Sequence, residues 1–298
     1  MSIKLIAVDM DGTFLSDAKT YNRPRFLAQY QRMREQNIRF VVASGNQYYQ
    51  LISFFPEIAH QIAFVAENGG WVVSGNEDVF NCQLPVHHFN AVVDHLQTLP
   101  NIEIIACGKR SAYTLPAGDD FDHLQTLPNI EIIACGKRSA YTLNRYNDAL
   151  KTVAAKYYHR LELVDDFNHL DDTILKFGLN VPDSLIPEIQ PKLHAALGDM
   201  VTAVATGYGS IDLIIPGVHK ANGLRILQQR WGIEDHEVVA FGDSGNDIEM
   251  LQHAGFGFAM ANAREDVKAV ARYQAPHNNE EGVLQIIDKV LDREAPFA

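Results

Sequence analysis

The sequence predicts an α/β protein whose core is a doubly wound parallel sheet, with a second, α+β domain inserted into that core. At both ends of the chain, short apolar runs alternate with segments of helical period, which is typical of a parallel sheet covered by helices on both faces. The middle of the chain breaks this alternation. Several apolar runs in the outer parts end directly in acidic or hydroxyl side chains, where open α/β sheets bind ligands.

The first part of the chain supplies strands of the core and the helices between them. Apolar β-branched runs predict the strands, and apolar residues spaced three and four apart predict the helices. The predicted strands are 4–9, 38–43, 62–66 and 71–73, and the predicted helices are 23–36 and a segment with Tyr49, Leu51 and Ile52.

The last part of the chain repeats this rhythm. Its predicted strands are 238–241 and 257–260, and its helices are 222–230, a segment with Ile248, Met250 and Leu251, 265–271 and 281–291. Between the two parts, predicted strands 175–180 and 211–215 alternate with predicted helices 148–158 and 185–197. We therefore expect residues 1–83 and 216–298 to form one discontinuous core domain, and residues 84–215 to form an inserted cap domain.

The inserted region contains an exact duplication. Residues 94–115 recur letter for letter at 122–143, a shift of 28 positions. Each copy predicts a hairpin, at 102–108 with 111–115 and at 130–136 with 139–143. Two identical copies do not fit a repeat architecture, which needs several diverged units to bury a continuous core.

Charge and composition exclude several partners. The formal net charge is −12, whereas a groove that follows nucleic-acid phosphates needs a basic field. Three cysteines without metal-ligand spacing, no leader sequence and no apolar stretch near 18 residues predict a cytoplasmic protein without a membrane partner. We expect a monomer or a small homo-oligomer.

The most informative motif follows the first strand. Asp9 and Asp11 are two residues apart, so on an extended chain they share a face, and Gly12 ends the run. Two carboxylates at the carboxyl end of a buried strand can address one metal and one substrate. Taken alone, the same pattern also fits a strand that ends in a solvated acidic turn.

Four further segments follow in chain order. Ser44-Gly45-Asn46 offers a hydroxyl and successive N–H groups to a phosphate, or forms an ST-turn or helix N-cap. Lys220 opens a helix and, alone, fits a surface lysine. Gly242–Asp247 places two more carboxylates at a strand end, and 259–263 is typical of a turn.

Two other motifs are excluded. Gly242-Asp243-Ser244-Gly245 has the letters of the nucleophile segment of trypsin-like proteases, but its flanks are α/β and no Ala-His-Cys segment lies upstream. The Asp9 run does not match an EF-hand loop, which has Gly at its sixth position and Glu at its twelfth.

Taken together, the motifs resemble the haloacid dehalogenase (HAD) superfamily, with its Rossmann-like core. The resemblance is greatest to the Cof-type sugar-phosphate phosphatases, which carry a large cap inserted between the second and third motifs. Many relatives have Thr-Gly-Arg where this chain has Ser44-Gly45-Asn46.

The resemblance implies roles for the motif residues. Asp9 is the expected nucleophile, and Asp11 is the expected general acid and base. The phosphate contacts implied are Ser44, Gly45, Lys220 and Asn246. The implied cofactor is Mg²⁺, held by the Asp9 carboxylate, the Asp11 backbone carbonyl and Asp243, with Asp247 orienting metal-bound water and Lys220.

These motifs predict an Mg²⁺-dependent phosphatase that acts on phosphate monoesters of small sugars or other metabolites through an aspartyl-phosphate. The alternatives are a phosphomutase or phosphotransferase of the same superfamily, a phospho-accepting receiver-like signalling protein, and a ligand-binding protein on this scaffold. Candidates for leaving-group contacts, by residue type only, are His87, His88, His159, His169, His194, Tyr113 and Tyr141.

Overall fold

A computed structural model describes residues 2–98, 105–108, 110–114, 138–139, 157–163, 167, 170–180, 183–207 and 209–298. In chain order the strands of this part are β1 (Leu5–Val8), β2 (Arg39–Ala43), β3 (Ala63–Ala66), β4 (Trp71–Ser74), β5 (Glu77–Asn81), β6 (Ile105–Gly108), β7 (Arg110–Thr114), β8 (Arg138–Ser139), β9 (Leu161–Leu163), β10 (Ile174–Asn180), β11 (Thr202–Gly207), β12 (Ser210–Ile214), β13 (Val238–Gly242), β14 (Phe256–Met260) and β15 (Tyr273–Ala275). The α-helices are α1 (Arg23–Glu35), α2 (Tyr48–Ser53), α3 (Val86–Thr98), α4 (Ile186–Leu197), α5 (Lys220–Trp231), α6 (Ile248–His253), α7 (Glu265–Val270) and α8 (Gly282–Asp292).

The first sheet has eight strands in the order β15-β14-β13-β1-β2-β3-β4-β5. The six strands from β15 to β3 are parallel, while β4 and β5 add an antiparallel hairpin at one edge. Central β1 pairs Leu5 with Val238 on one side and with Arg39 on the other. The carboxyl ends of β1, β2 and β13 therefore lie side by side, which brings the segments after them together.

The buried core explains why the central strands are so apolar. All four residues of β1 have no exposed surface, as expected for a strand covered by helices on both faces. The helices pack with apolar stripes, and α8 buries Val283, Ile287 and Val290 against this core. A rigid, close-packed sheet is a precise support for side chains at its edge.

The second sheet has seven strands and its own apolar core. The path is β11-β12-β10-β6-β7-β8, and β9 also pairs with β7. Strands β10 and β12 are antiparallel, with Gly178 opposite Asp212. Helices α3 and α4 supply Val92, Leu96 and Leu193 to this core.

The α/β fold with a parallel core sheet and an inserted α+β region is confirmed, and most predicted elements lie within two residues of the observed ones. The core sheet is not wholly parallel, because the chain turns back between β3 and β4 at Glu67–Gly69, where Gly69 has φ +97°, and again between β4 and β5 at Gly75 (φ +61°). The first predicted hairpin is present as β6 and β7. Most of the helix predicted at 148–158, and the second hairpin copy apart from Arg138 and Ser139, lie outside the described residues.

Four strands of the described part of the chain were not predicted from the sequence. These are β5, β9, β11 and β15, each short, half-exposed or at a sheet edge. The domain boundaries at 83/84 and 215/216 stay a prediction. Among the described residues, no helix combines the length and the apolar character that crossing a membrane requires.

Candidate active site

Asp9 lies immediately beyond β1, at the centre of the edge formed by the strand ends. Its N–H donates to the Phe241 carbonyl at 3.1 Å, so the strand pairing continues as far as this residue. The chain then makes one wide turn through residues 10–14, with Gly12 at φ +74°, a conformation that favours glycine. This turn leaves Asp9 buried, with 7% of its surface exposed.

Lys220 reaches the same carboxylate from the start of α5. His219 caps this helix by accepting a hydrogen bond from the Asn222 N–H, which fixes Lys220 as the first helical residue. Its ammonium donates to Asp9 Oδ1 at 2.9 Å and to Asp247 Oδ1 at 2.6 Å. Lys220 is 1% exposed, so it is a buried site residue and not a surface lysine.

Burial and neighbouring charges shift both partners. Burial alone would lower the pKa of Lys220, but the carboxylates of Asp247 and Asp9 raise it above its ordinary value. Burial and the charge of Asp247 raise the pKa of Asp9 well above the ordinary value, against the opposing charge of Lys220. A carboxylate that pairs closely with a buried cation stays ionised more readily than burial alone would allow.

Three buried carboxylates converge at this point. Oxygen atoms of Asp9, Asp243 and Asp247 lie within 4.8 Å of one another. Thr13 Oγ1 donates to Asp243 Oδ1 at 2.9 Å, and Ser244 Oγ lies 3.2 Å from its other oxygen. Burial and the charge of Asp247 raise the pKa of Asp243 to about 6. One lysine does not neutralise three acids, and hard oxygen donors are those that Mg²⁺ prefers, so the donor set fits this cation.

Asp247 has a structural role as well. Its second carboxylate oxygen accepts the N–H groups of Asp243 at 2.9 Å and of Ser244 at 3.1 Å. These bonds shape the loop after β13 around the Asp247 side chain. A Cβ added to Gly242 would lie 2.5 Å from the Asp247 Cβ, so only glycine fits there.

Asp11 lies at the open side of the site. Its two carboxylate oxygens accept hydrogen bonds from Lys19 Nζ at 2.8 Å and from Asn46 Nδ2 at 2.7 Å. The side chains of Asp11 and Lys19 are 16% and 18% exposed. Asn46, which stands where many relatives have arginine, thus contacts the predicted acid and base.

The Ser44-Gly45-Asn46 segment follows β2 next to Asp9. Ser44 is buried, and its hydroxyl accepts the Asn46 N–H at 3.0 Å, which is the ST-turn named above as an alternative. The Ser44 N–H donates to the Val65 carbonyl at 2.9 Å. The hydroxyl and the Gly45 amide lie on the strand-end edge, and their contact with phosphate stays a prediction.

Asn246 joins this segment to the second sheet. Its amide donates to Asn68 Oδ1 at 2.9 Å, and the Asn68 amide donates to the Asp212 carboxylate. Asp212 accepts a bond from Lys176 at 2.5 Å, and Lys176 also donates to the Gly45 carbonyl at 2.8 Å. The predicted phosphate contact Asn246 is therefore part of a buried polar chain.

The structure brings all the predicted site residues to one edge, but sequence reasoning missed several of their partners. These are Thr13, Lys19, Asn68, Lys176, Asp212 and Asn262, which donates to the Gly12 carbonyl at 2.8 Å. A charge inside an apolar strand was a usable signal for Lys176 and Asp212. Lys19 stands in a polar loop and carries no such signal.

The leaving-group candidates are less well placed. Of these, His87, His159 and His194 are exposed, His88 is half-buried beside His87, and His169 and Tyr141 lie outside the described residues, as does the Tyr113 side chain.

Comparisons with known proteins agree with this geometry. A family model of haloacid dehalogenase-like hydrolases matches residues 6–287, and the chain belongs to that family. It is a phosphatase of the Cof type, as the motifs predicted.

Two relatives and one solved structure extend the comparison. The Escherichia coli (strain K12) protein 5-amino-6-(5-phospho-D-ribitylamino)uracil phosphatase YbjI is 64% identical over 297 residues, covering 100% of this chain and 99% of that protein. YitU of Bacillus subtilis (strain 168), which has the same enzyme name, is 25% identical over 300 residues, covering 95% and 96%. The structure of SMU.1108c from Streptococcus mutans UA159 superposes with a TM-score of 0.84 at 32% identity, covering 98% of this chain and 100% of that one.

Proposed function

We propose that this phosphatase hydrolyses phosphate monoesters of small sugars, sugar alcohols or similar metabolites, requires Mg²⁺, and works through an aspartyl-phosphate on Asp9. The observation that carries the proposal is the Asp9 carboxylate at the end of β1, 2.9 Å from the Lys220 ammonium and grouped with Asp243 and Asp247. Phosphate monoesters hydrolyse extremely slowly without a catalyst, so several charged groups must act on one phosphoryl group.

The acidic group suits Mg²⁺. The carboxylates of Asp9 and Asp243 and the backbone carbonyl of Asp11 would hold the cation, and Asp247 would orient its water ligands. When bound, Mg²⁺ offsets the repulsion between the carboxylates and an anionic substrate and polarises a phosphoryl oxygen.

In the first step, a carboxylate oxygen of Asp9 attacks phosphorus. The new Asp9 O–P bond forms as the bond from phosphorus to the leaving oxygen breaks. Asp11 donates a proton to the leaving alkoxide, which departs as an alcohol. Lys220 and the Ser44–Gly45 segment bind the other phosphoryl oxygens as charge develops on them.

In the second step, Asp11 takes a proton from water, and the water oxygen attacks phosphorus. The Asp9 O–P bond breaks, which releases inorganic phosphate and regenerates the Asp9 carboxylate. Splitting one displacement into two in this way lets the same pair of acids serve both halves.

The leaving group lies on the Asp11 side of the site. Lys19 Nζ is 6.0 Å from the centre of the Tyr157 ring, so a cation and an aromatic face border this side. Such surroundings suit a leaving group that combines hydroxyls with a planar ring. Because two relatives are named for it, 5-amino-6-(5-phospho-D-ribitylamino)uracil is the first substrate to test.

The decisive test removes the nucleophile. Asp9→Asn is expected to abolish phosphate release and the acid-stable, hydroxylamine-sensitive phosphoenzyme, because an amide does not attack phosphorus. Asp11→Asn is expected to slow both steps and to keep Mg²⁺ binding, since only its backbone would hold the metal. More than a few per cent of wild-type rate in Asp9→Asn would contradict the mechanism.

Metal dependence is tested separately. Chelation by EDTA is expected to eliminate activity, Mg²⁺ or Mn²⁺ to restore it, and Ca²⁺ to restore little because its larger shell would displace Asp9. Full turnover in excess chelator would exclude the proposed metal. Transfer of the phosphoryl group to an added acceptor, without free phosphate, would favour the phosphotransferase alternative.

A further inference from the structure

Two buried charged residues of the second sheet contact the loops of the predicted phosphate site. Lys176 Nζ donates to the Gly45 carbonyl at 2.8 Å and to Asp212 Oδ2 at 2.5 Å. Lys176 is 2% exposed and Asp212 is 3% exposed. Glu67, in the turn after β3, lies 3.8 Å from the same ammonium.

The strand register explains why these residues meet. In the antiparallel pair β10–β12, Lys176 is opposite Ile214, and Asp212 precedes Ile214 by two residues in β12. Side chains two residues apart lie on the same face of a strand, so Lys176 and Asp212 are diagonal neighbours on one face of the sheet. That face meets the loops that follow β2 and β3.

Asp212 extends the contact to the fourth motif. It accepts a hydrogen bond from the side-chain amide of Asn68, and Asn68 Oδ1 accepts one from Asn246 Nδ2 at 2.9 Å. One buried chain of polar contacts thus runs from Lys176 to the segment that ends in Asp247.

The packing around Gly45 leaves no spare room. A Cβ added to Gly45 would lie 3.2 Å from Asp212 Oδ2 and 3.2 Å from both polar atoms of the Asn68 amide. The glycine therefore lets the charged pair approach the backbone whose N–H groups we expect to bind phosphate.

Stability alone gives a weak reason for this arrangement. Burial raises the pKa of Asp212, and the charge of Lys176 lowers it. The attraction between the two charges thus offsets the cost of removing them from water, a cost that an apolar pair would not incur. Buried ionic groups are best explained where they fix one arrangement of the chain. Here that arrangement is the orientation of the Gly45 carbonyl and the Asn68 amide.

We propose that Lys176 and Asp212 are positioning residues, which orient the Ser44–Gly45 segment and the Asn68–Asn246 pair so that they bind the phosphoryl group of the substrate. The inference rests on the proposed function, because it assigns these two segments to phosphate binding. Lys176 and Asp212 themselves do not touch the reacting atoms.

The test uses Asp212→Asn, which keeps the shape of the side chain and leaves Lys176 balanced by Glu67. With p-nitrophenyl phosphate as substrate, KM and the inhibition constant of inorganic phosphate are both expected to rise about tenfold, because hydrogen bonds to charged groups are among the stronger ones. The value of kcat is expected to fall less than about threefold, since lost uniform binding raises KM and leaves kcat nearly unchanged. The double variant Lys176→Gln/Asp212→Asn is expected to show the same pattern and serves if the single variant folds poorly.

The matched control is Glu188→Gln, which removes one carboxylate from the exposed Lys192–Glu188 pair on α4. It is expected to leave KM and phosphate inhibition unchanged. A folded Asp212→Asn enzyme with wild-type KM and wild-type phosphate inhibition would overturn the inference. A rise in KM confined to larger substrates would also overturn it, because it would assign the pair to the leaving group. Phosphate release by the Asp9→Asn variant tests the proposed function independently. A failure of this inference can therefore be distinguished from a failure of the proposed function.

Discussion

The two buried lysines near the site, Lys220 at the start of α5 and Lys176 within β10, have different surroundings. Within the described residues, the Lys220 ammonium pairs with the carboxylates of Asp9 at 2.9 Å and Asp247 at 2.6 Å. Lys176 donates to the Asp212 carboxylate at 2.5 Å and to the Gly45 carbonyl at 2.8 Å, and the Glu67 carboxylate lies 3.8 Å away. A buried cation must be compensated in both places, but only Lys220 faces the proposed nucleophile. In the proposed mechanism Lys220 therefore acts on the reacting group, whereas Lys176 holds the backbone around it.

The largest expected effect comes from Lys220→Met. A charge-assisted bond to a developing phosphoryl charge stabilises the transition state more than the ground state. We expect kcat to fall by about a hundredfold or more, while circular dichroism shows a folded protein. Steady-state kinetics with p-nitrophenyl phosphate measures this fall. An unchanged kcat would mean that Lys220, like Lys176, does not act on the reacting group.

Lys176→Met is expected to act mainly on stability. It removes the cation that lies 2.5 Å from the buried Asp212 carboxylate and 3.8 Å from that of Glu67, and breaking a buried pair in this way costs about 3–5 kcal/mol. Urea unfolding measures the loss of the free energy of unfolding. Lys192→Met, in an exposed ion pair with Glu188, is the control and is expected to change it by less than about 1 kcal/mol. If the two variants were equally stable, Lys176 would not be needed to balance the buried carboxylates beside it.

Lys19→Met is expected to have a smaller effect that depends on the leaving group. Lys19 orients Asp11, which Asn46 still holds in the variant, so we expect kcat to fall about tenfold at most for an alkyl phosphate. The fall is expected to be smaller for p-nitrophenyl phosphate, whose leaving group needs no proton. Lys268→Met, a half-buried lysine paired with Glu265, is the matched control. An equal fall for both substrates would contradict the assignment of Asp11 as the acid.

The sequence predicts the acidic half of the site well, because its residues follow strands directly. Asp9, Ser44 and Asp243 come after β1, β2 and β13, and neighbouring strand ends meet wherever the sheet is parallel. Lys176 and Asp212 could not be placed in this way. Their position depends on the β10–β12 register and on how the second sheet meets the loops, and neither is local in the sequence. Asn46 and Lys19 likewise became partners of Asp11 only through the fold.

The smallest expected effect concerns the duplicated stretch. We predict that deletion of residues 94–121, which joins Val93 to Asp122, leaves Mg²⁺-dependent phosphatase activity intact and keeps or raises the melting temperature. Because 94–115 and 122–143 are identical, this deletion and the deletion of 116–143 give the same polypeptide. The shortened chain therefore keeps one complete hairpin that can take the places of β6 and β7.

Strand pairing supports this expectation. β6 pairs with β10, the strand that carries Lys176, so one hairpin copy already fills the position beside the residues that contact Gly45. Of residues 116–143, the structure describes only Arg138 and Ser139, which form the two-residue β8 at the end of the sheet path. Removing a connection of this length reduces the conformational entropy lost on folding, which favours an unchanged or higher melting temperature. Differential scanning fluorimetry and phosphate release measure the two outcomes. If the shortened protein failed to fold or lost activity on every substrate, the second copy would be an integral part of the second sheet. Strands other than β10 and β12 would then also be needed to hold Lys176 in place.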